Sequence, residues 1–471
     1  MKIDRIEPPP RVRPPWPLVA AMALLLLSLL AFRPGVAMYD TVRQYGQVLT
    51  GGYDDWHPPV MAWLWSLLHP LGAGTAPMFV LQLAGYWLGF GLFARALGGV
   101  RALFVLLVAV SPMFLGWQIV ILKDAQLVAA LACAAGLVAH WRLRGERLPR
   151  PARLLVALCL LYALLLRANA AFTVIPFAAF LLPPGRARLR VAVILAGIPL
   201  AILVTQYASR HVFMAQDSGV SRTEAIYDLA AIAIRTGDAT PGGAPAIDIA
   251  ALEARNCLKP LFWDPLFARD DCVAPVAVLH TTPPGQLYRA LARAILAHPL
   301  AYAGHRLAHL NSTLRWLVPR HWPLADPPAA NEPNALGLDA PPGPATLAWQ
   351  RLAGRMVETP LAWPVVWIVL ALWALAHARA LPSGPRRDLA LALLASALCL
   401  EASFAVLSLS SDLRYHLWAM LAVALAWALL PLPPMRRSFV PLAALALILL
   451  TGLATRTTLP PASTDYGAML Q

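Results

Sequence analysis

Long blocks of apolar residues constrain this chain more than any other feature of its sequence. Of its 471 residues, 59% are hydrophobic and only 13% are charged, and the mean hydropathy is +0.62. A soluble protein carries about 25% charged residues, whereas a helix needs about 20 apolar residues to cross a bilayer. Several blocks reach that length. We therefore predict an all-α polytopic membrane protein, which excludes a soluble enzyme, a disordered chain and a secreted disulfide scaffold.

Counting the apolar blocks with their flanks predicts about eleven transmembrane helices. They cover 16–33, 76–97, 102–116, 124–141, 153–167, 170–183, 188–206, 361–378, 388–409, 413–431 and 438–455. A long polar stretch separates the seventh block from the eighth. We predict an N-terminal transmembrane module (1–206), an external α-rich insert (207–358) and a C-terminal transmembrane module (359–471).

Alternate connections are strongly basic, and this sets the predicted topology. The basic segments are the N-terminus (Lys2, Arg5, Arg11, Arg13), Arg142 to Arg153, Arg186 to Arg190, Arg379 with Arg386 and Arg387, and Arg436 with Arg437. The positive-inside rule places them in the cytoplasm, so the net charge of +14 does not indicate a nucleic-acid partner. The first block, read alternatively as a signal peptide, is followed by a poor cleavage context.

The location follows from topology and composition together. Arginine greatly outnumbers lysine in an alanine- and proline-rich chain, which favours a GC-rich bacterial genome. We therefore predict a bacterial inner-membrane protein with its N-terminus in the cytoplasm and its insert in the periplasm.

Ionisable residues gather in four connections on the predicted external face. The first connection, 34–75, contains Asp40, Asp54, Asp55 and His57, and ends in an apolar piece (60–71) that is too short to span and is predicted to be interfacial. The other three contain Lys123-Asp124, Arg167-Ala168-Asn169 and Asp412-Leu413-Arg414-Tyr415. Each set alone also fits a helix end or a snorkelling side chain. Since polar groups at membrane depth are costly and tend to be functional, all four sets are expected to converge on one cavity.

Cysteines and histidines were considered for disulfide and metal sites. Cys257 and Cys272 lie on the oxidising side of the predicted topology, so we expect a disulfide, with two buried thiols as the alternative. The adjacent pair Asp54-Asp55 and the spacing of His305 and His309 do not complete a metal-binding set. No cofactor is predicted, although the sequence leaves a divalent metal open.

Several of these motifs resemble the GT-C superfamily of polyprenyl-phosphate-dependent glycosyltransferases, notably protein O-mannosyltransferases and aminoarabinose transferases. The resemblance covers roughly 16–206 and lies in Tyr39-Asp40, His57-Pro58-Pro59, Lys123-Asp124 and Arg167-Ala168-Asn169. The family commonly has an Asp-Glu pair after its first span, but here Thr41 follows Asp40. The role of a second acid is therefore undetermined or falls to Asp54, Asp55 or Asp124.

The resemblance implies a GT-C-like bundle that transfers a hexosyl or pentosyl group from a polyprenyl-phosphate donor, usually with inversion. The acceptor is a lipid, a glycan or a protein at the periplasmic face. Asp40 matches the family's catalytic base. Side and charge make Lys123, Arg167 and Arg414 candidates for phosphate contact, and we assign the other predicted residues to substrate binding, namely Asp54, Asp55, His57, Asp124, Asn169 and Tyr415.

One feature favours a different class of protein. Glu401 falls inside the ninth predicted span, where an unpaired carboxylate is expensive. Transporters use such buried acids at the midplane to bind cargo. A lipid-linked sugar flippase or transporter is therefore the alternative function.

Overall fold

The computed structural model describes residues 15–182 and 186–471, and α-helices dominate both ranges. In these ranges the extended backbone is limited to three isolated β-bridges. The all-α class is therefore confirmed. The basic N-terminal residues Lys2, Arg5, Arg11 and Arg13, which entered the topology prediction, lie outside the described residues.

The helices fall into the three predicted stretches of the chain. Up to the insert they are α1 (Trp16–Phe32), α2 (Tyr39–Thr50), α3 (Val60–Leu68), α4 (Ala76–Leu97), α5 (Gly99–Val110), α6 (Pro112–Gln118), α7 (Lys123–Arg142), α8 (Arg150–Leu166), α9 (Ala171–Phe180) and α10 (Ala187–Tyr207). The insert holds α11 (Thr223–Thr236), α12 (Ile249–Ala254), α13 (Pro265–Ala268), α14 (Asp270–Val273), α15 (Ala277–Thr281), α16 (Pro284–Ala297), α17 (Pro299–Thr313) and α18 (Pro344–Val357). The remainder forms α19 (Pro364–Arg379), α20 (Pro385–Leu407), α21 (Leu417–Leu429), α22 (Phe439–Thr458) and α23 (Tyr466–Leu470).

The number of membrane-crossing helices is lower than predicted. Among the described residues, five helices are long and apolar enough to span: α4, α7, α10 with its extension to Val212, α20 and α22. The pair α5 and α6 makes a sixth candidate, bent by 56°. The prediction of about eleven spans is therefore wrong by this criterion.

Breaks in the apolar blocks explain the difference. Pro112 starts a new helix after Ser111, because a proline cannot donate the helical hydrogen bond. Arg167 is extended and separates α8 from α9. Other apolar blocks form helices of only 10 to 17 residues, including α1, α19 and the stretch 60–71. The structure thus matches an α-helical membrane protein in which several blocks are shorter than the bilayer.

The centre of the bundle is α7, which packs closely on α4. Nearly all of its most apolar stretch, 94%, is buried inside the protein, against 6% for α10 and 17% for α22. A Cβ atom at Gly136 would lie 2.1 Å from the carbonyl oxygen of Gly89, so the two helix backbones touch at this point. Small residues allow such close approach in membranes, where dispersion contacts replace the hydrophobic effect between helices.

The insert has a hydrophobic core of its own, formed by buried residues between Ala225 and Ala294. Its helical run breaks at His298 before Pro299, as the proline predicted. Cys257 and Cys272 form a disulfide with their Cα atoms 5.5 Å apart. Closing a loop of this length stabilises a fold by about 3 kcal/mol on the chain-entropy estimate.

Gly136→Ala is expected to destabilise the bundle, because the new methyl group collides with backbone that cannot rotate away. Over-packing a well-packed core costs about 1–3 kcal/mol. The measurement is the thermal midpoint of the monodisperse protein in detergent. Gly343→Ala is the matched control, since a Cβ there meets nothing within 4 Å. Equal midpoints for the two variants would contradict the contact between α4 and α7.

Candidate active site

Backbone pairing brings Asp40 beside Lys123. The amide of Val36 donates to the carbonyl of Ile119 at 2.9 Å, and the amide of Ile121 donates to the carbonyl of Val36 at 2.9 Å. The residues just before α2 therefore lie against the residues just before α7. Since Asp40 opens α2 and Lys123 opens α7, this pairing places the two side chains at the same end of the bundle.

Thr41 fixes the first turn of α2 in this position. Its buried hydroxyl donates to the carbonyl of Ile121 at 2.6 Å and accepts the amide of Met38 at 3.0 Å. The residue that replaces the family's second acid is thus a structural anchor. A carboxylate here would not donate the first of these bonds.

Three cationic or ionisable side chains surround the buried carboxylate of Asp40, which is only 7% exposed. Its oxygens lie 3.3 Å from Nη1 of Arg414, 3.7 Å from Nζ of Lys123 and 3.9 Å from Nε2 of His57. These residues come from four connections that are far apart in the sequence.

A second group of charges adjoins the first through Arg414. Its Nε lies 2.8 Å from Asp412 and 3.6 Å from Asp124, and Asp124 also pairs with Arg167. The guanidinium of Arg167 lies 4.0 Å above the ring of Tyr415. Its Nε donates to Oδ1 of Asn169 at 3.1 Å. We call the whole group the ion cluster: Asp40, His57, Lys123, Asp124, Arg167, Asn169, Asp412, Arg414 and Tyr415.

The protonation of the ion cluster follows from burial and from these neighbours. Burial alone would raise the pKa of Asp40, but Arg414, His57 and Lys123 outweigh it and hold that pKa well below its usual value. Burial and the nearby Lys123 lower the pKa of His57 to about 3, so the imidazole is neutral at pH 7. The ammonium of Lys123 donates to Nδ1 of His57 at 2.6 Å, which leaves the Nε2 hydrogen facing Asp40.

The charges within the ion cluster balance. Three carboxylates, Asp40, Asp124 and Asp412, face three cations, Lys123, Arg167 and Arg414. Burying a single unpaired charge costs several kcal/mol, about 3–5 when a partner is removed. The cluster therefore tolerates burial as a set. It also leaves buried oxygens of Asp40 and Asp124 without a hydrogen bond, although both lie near cations.

Asp54 and Asp55 lie apart from the ion cluster. Asp54 pairs with the exposed Arg43 at 3.4 Å. Asp55 accepts the amide and the hydroxyl of Ser218 at 2.7 and 2.6 Å. Both acids tie the first external connection to the start of the insert.

Two acids near the site were not assigned to it from the sequence. Asp412 was quoted only as a neighbour of Arg414, and its position two residues earlier was the available signal. Asp264 lies in the insert, where its carboxylate accepts the hydroxyl of Tyr466 at 3.0 Å. Burial, with smaller contributions from Asp412 and Asp40, raises the pKa of Asp264 to about 6. No local pattern in the sequence indicated that this loop lies near Asp40.

The insert holds the segment that carries Asp412 and Arg414. The amide of Trp263 donates to the carbonyl of Leu409 at 3.0 Å, and the amide of Ser411 donates to that of Leu261 at 2.8 Å. Arg306 joins the same segment, since its guanidinium pairs with the buried Asp228 and donates to the carbonyl of Ser408 at 2.8 Å. The position of Arg414 therefore depends on the insert.

Glu401 has a partner inside the bundle. Its carboxylate lies 2.9 Å from Nδ1 of His416, whose ring stacks edge-on against Phe404. The carboxylate is thus paired rather than isolated within α20.

The histidines with metal-like spacing are also engaged. His305 lies 3.2 Å from Asp228, and Nδ1 of His309 lies 2.7 Å from the carbonyl of Pro260. Across residues 15–182 and 186–471, no group of three or more His, Cys, Asp or Glu side chains has an arrangement that would hold a metal ion.

Comparison with known proteins adds no relative. No protein-family model matches the chain, and no curated protein is significantly similar to it in sequence. The function must therefore be argued from the ion cluster itself.

Thr41→Val is expected to destabilise the site region, because it leaves a buried carbonyl and a backbone amide without their partner. An unsatisfied buried polar group costs about 1–3 kcal/mol. The measurement is the thermal midpoint in detergent, with Thr41→Ser expected to restore most of it. Thr50→Val, at an exposed hydroxyl of the same helix, is the control. A midpoint for Thr41→Val equal to that of Thr50→Val would contradict the anchoring role.

Proposed function

We propose that the protein is a membrane glycosyltransferase of GT-C type, which transfers a sugar from a polyprenyl-phosphate donor to an acceptor on a lipid, a glycan or a protein. The carrying observation is the ion cluster, in which one carboxylate and three cations from distant segments meet at one end of the helices. We place this end at the periplasmic face of the bacterial inner membrane, with the basic connections in the cytoplasm. The enzyme uses membrane lipids as its surroundings and needs no nucleic acid.

The cations suit the departing phosphate. As the bond between the anomeric carbon and the phosphate oxygen breaks, the electron pair and negative charge go to the polyprenyl phosphate. Positioned arginines and lysines stabilise such charge strongly in a site that excludes water. Arg414 and Arg167 offer planar guanidinium groups, which bind phosphate oxygens in pairs.

Asp40 receives the proton of the acceptor. The acceptor oxygen or nitrogen attacks the anomeric carbon from the side opposite the phosphate, which inverts the configuration, and its proton passes to a carboxylate oxygen of Asp40. In the resting cluster the pKa of Asp40 is held low by the cations, so the carboxylate is then a weak base. A phosphate bound to Arg414 and Lys123 offsets their charge and raises that pKa when the donor is in place.

His57 acts as a positioning residue in this scheme. Its neutral imidazole accepts from Lys123 and turns its Nε2 hydrogen toward Asp40, 3.9 Å away. This arrangement orients the carboxylate without supplying a charge. Asp264 is the competing base, because a pKa of about 6 lies nearer the value that suits proton transfer at neutral pH.

Asp40→Asn is expected to lower the turnover number by about 10² to 10⁴, the usual contribution of general-base catalysis. Asparagine retains nearly the same size and hydrogen bonds, but it does not accept the proton. Donor binding should change much less. The measurement is transfer of radiolabelled sugar from a polyprenyl-phosphate donor by purified protein, with binding of the donor measured separately.

Two variants make this test specific. Asp54→Asn is the control, because that carboxylate is part of an exposed ion pair outside the ion cluster, and it should retain near wild-type turnover. Asp264→Asn and Asp124→Asn test the other acids. If Asp40→Asn kept more than about a tenth of the rate while either of these fell to background, the base would be reassigned to that residue.

Arg414→Lys is expected to weaken use of the donor. The substitution preserves the charge but loses the planar fork that contacts Asp40, Asp412 and Asp124 together. The apparent KM for the lipid-linked sugar should rise more than that for the acceptor. Arg43→Lys, at an exposed arginine, is the control. Equal KM values for both substrates in Arg414→Lys and wild type would remove Arg414 from the donor site.

The alternative of a lipid-linked sugar flippase or transporter rested on Glu401. Its pairing with His416 at 2.9 Å gives the carboxylate a structural role within the bundle. The observation that favoured transport is thereby weakened, whereas the ion cluster supports transfer.

A further inference from the structure

A groove lies between α19 and α22, away from the ion cluster. Its volume is about 590 Å³, and most of its lining is apolar, including Val369, Leu372, Ala376, Val440, Pro441 and Ala444. It lies toward the end of α19 that precedes α20, while the ion cluster follows the other end of α20. The 23 residues of α20 span about 35 Å, so the groove is a separate site.

The outer surface of this region suits the acyl chains of a membrane. Only 17% of the apolar stretch of α22 is buried within the protein. Val440 is 81% exposed and Leu450 is 68% exposed on the same helix. In a chain that lies in a bilayer, such a face contacts lipid, and a groove in it is open to an acyl chain.

Arginines mark one end of the groove. Arg437 lines it directly, and Arg436 precedes it in the short turn before α22. In the described parts of the chain neither side chain forms an ion pair with an acid, and both are exposed. Arg379 ends α19 nearby in the fold. Basic pockets between transmembrane helices attract the phosphate of anionic lipids.

Two polar groups at the groove also lack partners among the described residues. Nε2 of His377 donates to the carbonyl of Pro431 at 2.9 Å, which leaves its buried Nδ1 without a hydrogen bond. The indole Nε1 of Trp373 is likewise unpaired. Buried polar groups normally have a partner, and the ester and phosphate oxygens of a lipid would supply an acceptor for the indole after a small rotation.

We propose that this groove binds one anionic phospholipid of the surrounding membrane, with an acyl chain between α19 and α22 and the headgroup phosphate at Arg437 and Arg436. The apolar lining matches the chain, and the arginines match the phosphate. The assignment is independent of the glycosyltransferase proposal, because no residue of the ion cluster takes part.

Native mass spectrometry of the purified protein tests the site directly. The protein is stripped of lipid in detergent and titrated with dioleoylphosphatidylglycerol or with dioleoylphosphatidylcholine. One phosphatidylglycerol molecule should bind more tightly than phosphatidylcholine. Arg437→Glu should weaken phosphatidylglycerol binding by about fivefold or more, since it removes one favourable charge and adds a repulsive one. Ala376→Trp, which fills the groove, should also weaken it.

Matched variants control for charge and for bulk. Arg147→Glu reverses an exposed arginine in another basic connection, and Leu200→Trp adds bulk to the exposed face of α10. Both should retain phosphatidylglycerol binding. Equal affinities for the two lipids, or unchanged binding in both Arg437→Glu and Ala376→Trp, would overturn the proposal. Tighter binding of decaprenyl phosphate, lost in Arg437→Glu, would instead assign the groove to the polyprenyl carrier and equally overturn it.

Discussion

The ion pairs around Asp40 and Arg414 set the main constraint on this structure. Separating either charge from its partner inside the protein would leave a buried ion, at a cost of about 3–5 kcal/mol. Three carboxylates and three cations therefore have to arrive together. Each comes from the end of a different helix or connection, so the helices must be fixed relative to one another to within ångströms.

Other features of the fold serve this arrangement. The contact between Gly89 and Gly136 holds α4 directly against α7, whose first residues are Lys123 and Asp124. Thr41 fixes the start of α2 against the residues before α7. The insert grips the segment before Arg414 through Arg306 and through backbone pairing. The bundle and the insert thus each supply part of the framework around one site.

The sequence predicted more of the site than of the membrane topology. Reading Lys123, Arg167 and Arg414 as external ends of spans placed them on one face, and the structure brings them together with Asp40. Span counting failed at Pro112 and at Arg167, where a local break shortens helices that remain continuous in hydropathy. Asp264 could not be predicted as a neighbour of the site, because its position depends on packing of the insert rather than on local pattern. The same holds for Asp55, whose partner Ser218 lies 163 residues away.

The central claim is that the ion cluster cleaves the bond between a sugar and polyprenyl phosphate. The most direct measurement is the fate of a doubly labelled polyprenyl-phosphate sugar in vesicles that contain only the purified protein and an acceptor. The account predicts that free polyprenyl phosphate appears in step with glycosylated acceptor. Movement of the intact lipid-linked sugar across the bilayer without cleavage would contradict it and favour a flippase.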